Sequence, residues 1–213
     1  MTGAPTLIVD RVSVRRGGRV IVDDVAFTVE AGERVGLVGR NGCGKSSLIL
    51  AIAGVLAPRA GRISVAGASM WGASRERLRA RRALGYVPEA ADPPGFLRGE
   101  ELWAMVAAAR RTPPPSPALI DALGLDELRA LALERMSLGQ RRRACLAAAL
   151  LGPPALLVLD EPDNGLDALR LAALVGLLAA HAAGGGACLI ASHDGALLDQ
   201  LGARRVSLDA RGQ

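Results

Sequence analysis

Residues 39–46 read GRNGCGKS, a Gly-x-x-x-x-Gly-Lys-Ser spacing whose surroundings decide how it is read. Upstream, RVGLV (34–38) is a short apolar run that predicts a buried strand. Downstream, SSLILAIAG (46–54) predicts a buried helix ending at Gly54. A glycine-rich turn between a strand and a helix brings backbone N–H groups onto phosphate oxygens, and the helix start adds partial positive charge. The candidate nucleotide-binding residues are therefore Gly39, Arg40, Asn41, Gly42, Cys43, Gly44, Lys45, Ser46 and Ser47. Lys45 would reach the terminal phosphates, and the Ser46 hydroxyl would take a place on Mg2+. Lys45 is also the only lysine among 26 basic residues. A compact ammonium on a thin stem fits inside a loop of amides where a forked guanidinium does not.

Working outward, LIVDRVSV (7–14) and VAFTV (25–29) alternate with a period near two and predict strands, with a turn at Ala31-Gly32. RISVAG (62–67) and LGYVPE (84–89) predict two more. From Gly99 to Arg135 no strand-like run occurs. GEELWAMVAAARR (99–111) is helical, TPPPSP (112–117) breaks the chain, and ALIDALGLDELRALALERM (118–136) resumes helix. The strand–helix rhythm returns with LLVLD (156–160), a helix over 167–182, ACLIAS (187–192) and RRVSLD (204–209). LLVLD and ACLIAS lack alternation, as expected for strands covered on both faces of a parallel sheet. The pattern predicts one α/β domain over 1–213. Its core, 1–94 and 136–213, carries an N-terminal antiparallel β-subdomain and a mostly parallel sheet; 95–135 is an inserted helical subdomain.

The formal charge is +5, carried almost wholly by arginine. So uniform a choice of basic residue reflects coding composition, so the arginines are expected to be scattered and solvated rather than a nucleic-acid surface. Three cysteines in unrelated contexts, and no basic-then-apolar leader at MTGAPTLIVD, point to a reduced, cytosolic protein without disulfides. The apolar stretch 144–159 is interrupted by Gly152-Pro153-Pro154, and 171–183 is too short to span a bilayer.

Asp160 and Glu161 end the buried strand LLVLD, on the sheet edge that faces the ligand crevice in open α/β folds. Asp160 would hold Mg2+ through water, and Glu161 would orient and polarise an attacking water. His193 follows ACLIAS at another strand end and can hydrogen-bond a phosphate oxygen. The second histidine, His181, is expected to snorkel or cap late in an apolar helix. RMSLGQRRR (135–143) contains Ser137-x-x-Gln140, a capping box at the head of a helix. Ser137, Gly139 and the free amides of that helix start also make an anion site. A chain with its own phosphate loop has use for a second one if it serves a nucleotide held by another subunit.

In order, GRNGCGKS, LGYVPE, MSLGQRRR, LLVLDEP, DNGLD and ASHD resemble the motifs of the ATP-binding cassette (ABC) ATPases of membrane transporters, over nearly the whole chain. The resemblance implies a P-loop NTPase fold and ATP hydrolysis with Mg2+. It implies a head-to-tail dimer, homodimeric or with a paralogous ATPase, with each ATP between the loop of one chain and Ser137, Leu138, Gly139 and Gln140 of the other. Residues 84–89 correspond to the Q-loop, 163–167 to the D-loop and His193 to the switch histidine; the helical region would dock an integral membrane subunit at the cytoplasmic face. Three positions depart from the family pattern. Arg15 and Arg16 stand where an adenine-stacking ring is usual, and Arg16 is taken as the base-contacting residue. Glu89 replaces the Q-loop glutamine, keeping an oxygen for Mg2+ but adding charge. Leu138 replaces the first signature glycine. The last two variants resemble the drug and peptide-antibiotic export branch, and the small size resembles haem-exporter-like ATPases. No direct nucleic-acid partner is expected. A non-transport ABC ATPase of nucleic acid or ribosomes, and a degenerate regulatory cassette, are the alternatives.

Overall fold

The computed structural model describes residues 4–90, 92–193 and 195–208. Two sheets form its frame. The first is antiparallel, in the order β2-β1-β4-β5, from β1 (Leu7–Arg16), β2 (Arg19–Val29), β4 (Ala60–Val65) and the short β5 (Ala68–Ser69). The second is wholly parallel, in the order β6-β7-β8-β3-β9. It consists of β3 (Arg34–Val38), β6 (Leu84–Val87), β7 (Leu156–Asp160), β8 (Ala187–Ala191) and β9 (Arg204–Ser207). Both sheets and their covering helices agree with the α/β expectation. Asp209, the last residue of the expected final strand, lies outside the described residues, as does Asp194 of ASHD.

Successive side chains of β7 and β8 point to opposite faces, and both faces are buried. Leu156, Val158, Leu189 and Ala191 join Val35 and Leu37 in a core shared with the antiparallel sheet and α1 (Lys45–Ile52). Leu157, Leu159, Cys188 and Ile190 face a second cluster. That cluster is built from α3 (Gly99–Arg110), α4 (Pro117–Leu123), α5 (Leu138–Leu150), α6 (Ala168–Ala183) and α7 (Gly195–Gln200). Burial on two sides removes the need for polar alternation, so these strands read as continuous apolar runs.

Two expectations are corrected, and one helix was not legible in the sequence. Residues 118–136 do not form one helix. Gly124, in left-handed backbone at φ 58, caps α4, and only two 3-10 turns follow, Asp126–Leu128 and Leu133–Arg135. Gly124 has the conformational freedom that C-terminal caps require, and the leucines beyond it are buried without helical periodicity. Between β4 and β6 stands α2 (Ser74–Arg82), with Ala80 as its only buried residue. A helix without an apolar stripe gives no periodic signal. The His181 ring does not snorkel: its Nε2 is buried against Gly186, where a Cβ would come within 2.1 Å of it. Burial lowers its pKa.

The helical stretch is joined to α5 by side chains rather than by backbone pairing. The Trp103 indole donates to the Ala144 carbonyl at 3.0 Å. Arg110 donates to the carbonyls of Ala149, Leu151 and Leu84, tying α3 to the end of α5 and the start of β6.

Candidate functional site

The loop after β3 wraps over its own lysine. Lys45 is 7% exposed, and its Nζ donates to the carbonyls of Gly39 at 2.7 Å and Arg40 at 3.3 Å. Gly44 caps α1 at φ 103, where a Cβ would lie 2.6 Å from a methyl of Val22 in β2. Both the backbone angle and the close strand demand glycine there. Lys45, Ser46 and Ser47 thus enter a cleft of about 450 Å3, together with Asn41 and Gly42. Glu89, Glu161, His193 and Arg16 close its other sides. Arg15 is occupied elsewhere, donating to the Gly18 carbonyl at 2.8 Å, so Arg16 is the arginine that faces the cleft. Cys43, half-buried, lines a separate smaller cavity with β2 and residues 206–208 rather than the cleft.

The acidic strand end sits opposite. Asp160 is buried, and a hydrogen bond joins its carboxyl to the Ser46 hydroxyl. Burial raises the Asp160 pKa; that hydrogen bond and the charges of Arg142 and Lys45 act against the rise, while Glu89 adds to it. Glu161 holds a left-handed backbone at φ 48, a strain on the order of 1 kcal/mol or more for a residue with a side chain. Its amide donates to the Ala191 carbonyl at 2.8 Å, which holds the turn against β8. Both carboxylate oxygens then meet His193. Nε2 lies 3.0 Å from Oε1, and the His193 amide donates to Oε2 at 3.1 Å. The Glu161 side chain is 4% exposed and the His193 ring 56%, so the ring is the element free to move. Burial raises the Glu161 carboxyl above its ordinary pKa, offset in part by the His193 amide.

The second helix start lies apart from the cleft. Ser137 Oγ accepts from the Gln140 amide at 3.3 Å, and Gln140 Oε1 accepts from the Ser137 amide at 2.9 Å, which is the expected capping box. Leu138 is 55% exposed. Gly139 packs on the DNGLD segment so closely that a Cβ would lie 2.1 Å from the Gly165 carbonyl oxygen. The same segment is tied to the β8 end by the Ser192 hydroxyl, which donates to Asp163 at 3.0 Å.

The residues that sequence reasoning missed are the three arginines after Gln140. They are not solvated. Arg141 donates to the Leu133 carbonyl and pairs with Asp92. Arg142 is 1% exposed and donates to the carbonyls of Pro88, Glu89 and Asp160. Arg143 donates to the carbonyls of Leu123 and Gly124 and pairs with Glu127 at 2.7 Å. Helical spacing held the signal: Arg142 shares a face with Leu146 and Ala149, which are buried, and a basic residue on a buried face needs partners.

The family model for the ABC transporter matches residues 22–164, more than half of the chain, with the loop, the capping box and the acidic strand end inside it. This chain belongs to the ABC transporter ATPase family. A Streptomyces avermitilis relative named as an ABC transporter ATP-binding protein is 36% identical over 98% of the chain. The chain spans only 37% of that relative's length. The zinc import ATP-binding protein ZnuC of Cereibacter sphaeroides is 38% identical over 85% of the chain and 70% of its own length. The cytochrome c biogenesis ATP-binding export protein CcmA of Gluconobacter oxydans is 35% identical over 88% and 81%. A solved ATP-binding subunit of an ABC transporter superposes with a TM-score of 0.85 at 29% identity, covering 92% of this chain and 82% of that one.

Proposed function

We propose that this ABC ATPase binds and hydrolyses ATP to drive a separate integral membrane subunit, as one half of a head-to-tail dimer. The observation that carries the reading is the convergence of Lys45, Ser46, Asp160, Glu161 and His193 on one cleft at the carboxyl ends of β3, β7 and β8. The loop amides and the Lys45 ammonium hold the phosphates. Glu161, ionised, orients water and takes up its proton as the oxygen attacks the γ-phosphorus. His193 leaves Glu161 and donates from Nε2 to a γ-phosphate oxygen, so one ring movement both frees the base and stabilises charge.

The donor set fits Mg2+. Ser46, Asp160 and Glu89 offer only oxygen atoms, and among the described residues no three His, Cys, Asp or Glu side chains gather to hold a metal by themselves. Mg2+ takes one or two carboxylates plus substrate phosphates, so the nucleotide would complete the set. When bound, the ion neutralises phosphate charge.

Ser137, Leu138, Gly139 and Gln140 serve the partner's nucleotide in this reading. Leu138 and Leu169, 55% and 71% exposed at two helix starts, flank the DNGLD segment on the face that a partner would cover. The membrane subunit docks on the helical region 95–135. An apolar groove of about 320 Å3 beside it is lined by Pro88, Pro93, Leu102, Val106 and Cys145. No helix among the described residues is long and apolar enough to cross a membrane, which suits a peripheral place on the cytoplasmic face. Export is the direction we favour, on Glu89 and Leu138 and on the likeness to the export protein CcmA; the likeness to ZnuC points the other way.

Light scattering tests the dimer. Glu161→Gln keeps the shape of the carboxylate and removes the base, so the variant should accumulate as a dimer in MgATP. Adding Ser137→Arg should abolish that dimer while each chain still binds ATP. A double variant that dimerises as before would overturn the role given to Ser137.

A further inference from the structure

Arg142 stands where a charge is least welcome. It sits in α5, 1% exposed, among leucines and alanines. Burial disfavours its charged form, and a buried guanidinium persists only if it is paired and hydrogen-bonded. Its fork is spent on backbone. One terminal nitrogen donates to the Pro88 carbonyl at 2.9 Å and the Asp160 carbonyl at 3.1 Å; the other donates to the Glu89 carbonyl at 2.6 Å. Its Nε is buried without a partner. The charge is compensated by the field of Asp160, Asp163 and Glu89. Of the three successive arginines, this one alone touches segments that enter the cleft.

Arg142 joins the two segments through their backbone carbonyls. β6 pairs with β7 only as far as Val87 against Leu159, so the turn at 88–89 leaves the sheet just where Asp160 begins. Beyond that register, the guanidinium replaces the missing ladder. It also places a positive charge behind two carboxylates, Glu89 and Asp160, which otherwise repel each other across the cleft.

We propose that Arg142 is a positioning residue, which fixes the 88–89 turn to the end of β7 and so sets the spacing and charge balance of Glu89 and Asp160 for a divalent cation. The inference rests on the reading of the cleft as a nucleotide and Mg2+ site. It assigns to the signature helix a direct grip on the metal side of its own chain's cleft, in addition to the neighbour's nucleotide. Arg142→Lys keeps the charge but offers a point donor that cannot span three carbonyls; Arg142→Gln removes the charge as well.

The test compares the affinity of a fluorescent ATP analogue in EDTA and in Mg2+, for wild type and both variants. The ratio of the two affinities is the metal's contribution. In the variants that ratio should fall about tenfold, the scale of losing a residue that orients metal ligands. The EDTA affinity, set by the phosphate loop, should hold. Hydrogen exchange supplies a readout independent of nucleotide: amides at the end of β6, whose ladder to β7 stops at Val87, should lose protection in Arg142→Lys while those of β3 and α1 keep theirs. An unchanged ratio with unchanged exchange at the end of β6 would overturn the proposal, as would a loss of affinity equal in EDTA and Mg2+. Should Arg142→Gln fail to fold, Arg142→Lys decides. A wild type whose affinity is the same in EDTA and Mg2+ would instead sink the nucleotide–metal reading, and the exchange at the end of β6 would still decide whether Arg142 holds the turn.

Discussion

The loop before α1 and the end of α4 both leave backbone carbonyls outside regular pairing, and each finds cationic donors for them by opposite means. At α1 the solution is local. Gly44 turns the chain, the loop folds back, and Lys45 Nζ meets carbonyls five and six residues away in sequence. At α4 the partners come from far along the chain. Arg143 reaches the carbonyls of Leu123 and Gly124, and Arg170 those of Asp121 and Ala122, from α5 and α6. A loop held by contacts within one contiguous segment can keep its shape while its surroundings shift. A helix end held by distant guanidiniums keeps its place only while the packing of three helices holds. The first suits the chemistry proposed for the cleft and the second the docking proposed for the helical region.

The sharpest way to break this contrast is at the site. Glu161→Gln should lower steady-state phosphate release by about a hundredfold or more while binding of a fluorescent ATP analogue persists. A variant that hydrolyses at the wild-type rate would move the water-activating role to another group. Next in size is Arg143→Ala, which strands the Leu123 and Gly124 carbonyls. It should cost about 2 kcal/mol in the denaturant midpoint and leave nucleotide affinity as it was. A matching loss of nucleotide affinity would mean that the two regions are not independent. A smaller effect lies in pH. Glu161 acts ionised and its pKa is raised by burial, so turnover should fall as pH drops through a limb above the ordinary glutamate range, and stay level above it. A pH profile of kcat whose limb sits at the ordinary value would mean that the carboxylate is water-exposed in the working state. Smallest is base selectivity. With Arg16 in place of a stacking ring, ATP should be preferred over GTP only modestly in competition binding. A preference near a hundredfold, about 2.7 kcal/mol, would show that another residue reads the base.

The legible parts of the molecule share a short range. GRNGCGKS announced itself because Gly44 needs its backbone angle and Lys45 needs its thin stem, both within one turn of chain. Ser137 and Gln140 announced a cap for the same reason. LLVLD and ACLIAS were readable because two buried faces require two apolar faces. What stayed hidden has no local cause. α2 buries a single alanine and so carries no stripe. The end of α4 could be placed only by knowing that Gly124 is capped from α5 and α6. Composition alone places Arg142 among the solvated arginines, although its spacing to Leu146 points inward.

The sequence by itself therefore determined the phosphate loop, the capped signature helix, the acidic strand end and the two-sided strands. Each is fixed by hydrogen bonds or burial that a few neighbouring residues can write. Tertiary structure alone decided that Glu161 is clasped by His193, that Cys43 faces away from the cleft, and that three adjacent arginines grip three separate segments. Those contacts join residues up to 54 positions apart. A guanidinium or a carboxylate can satisfy any of several partners, and only the packed helices and sheet determine which of them comes within 3 Å or so.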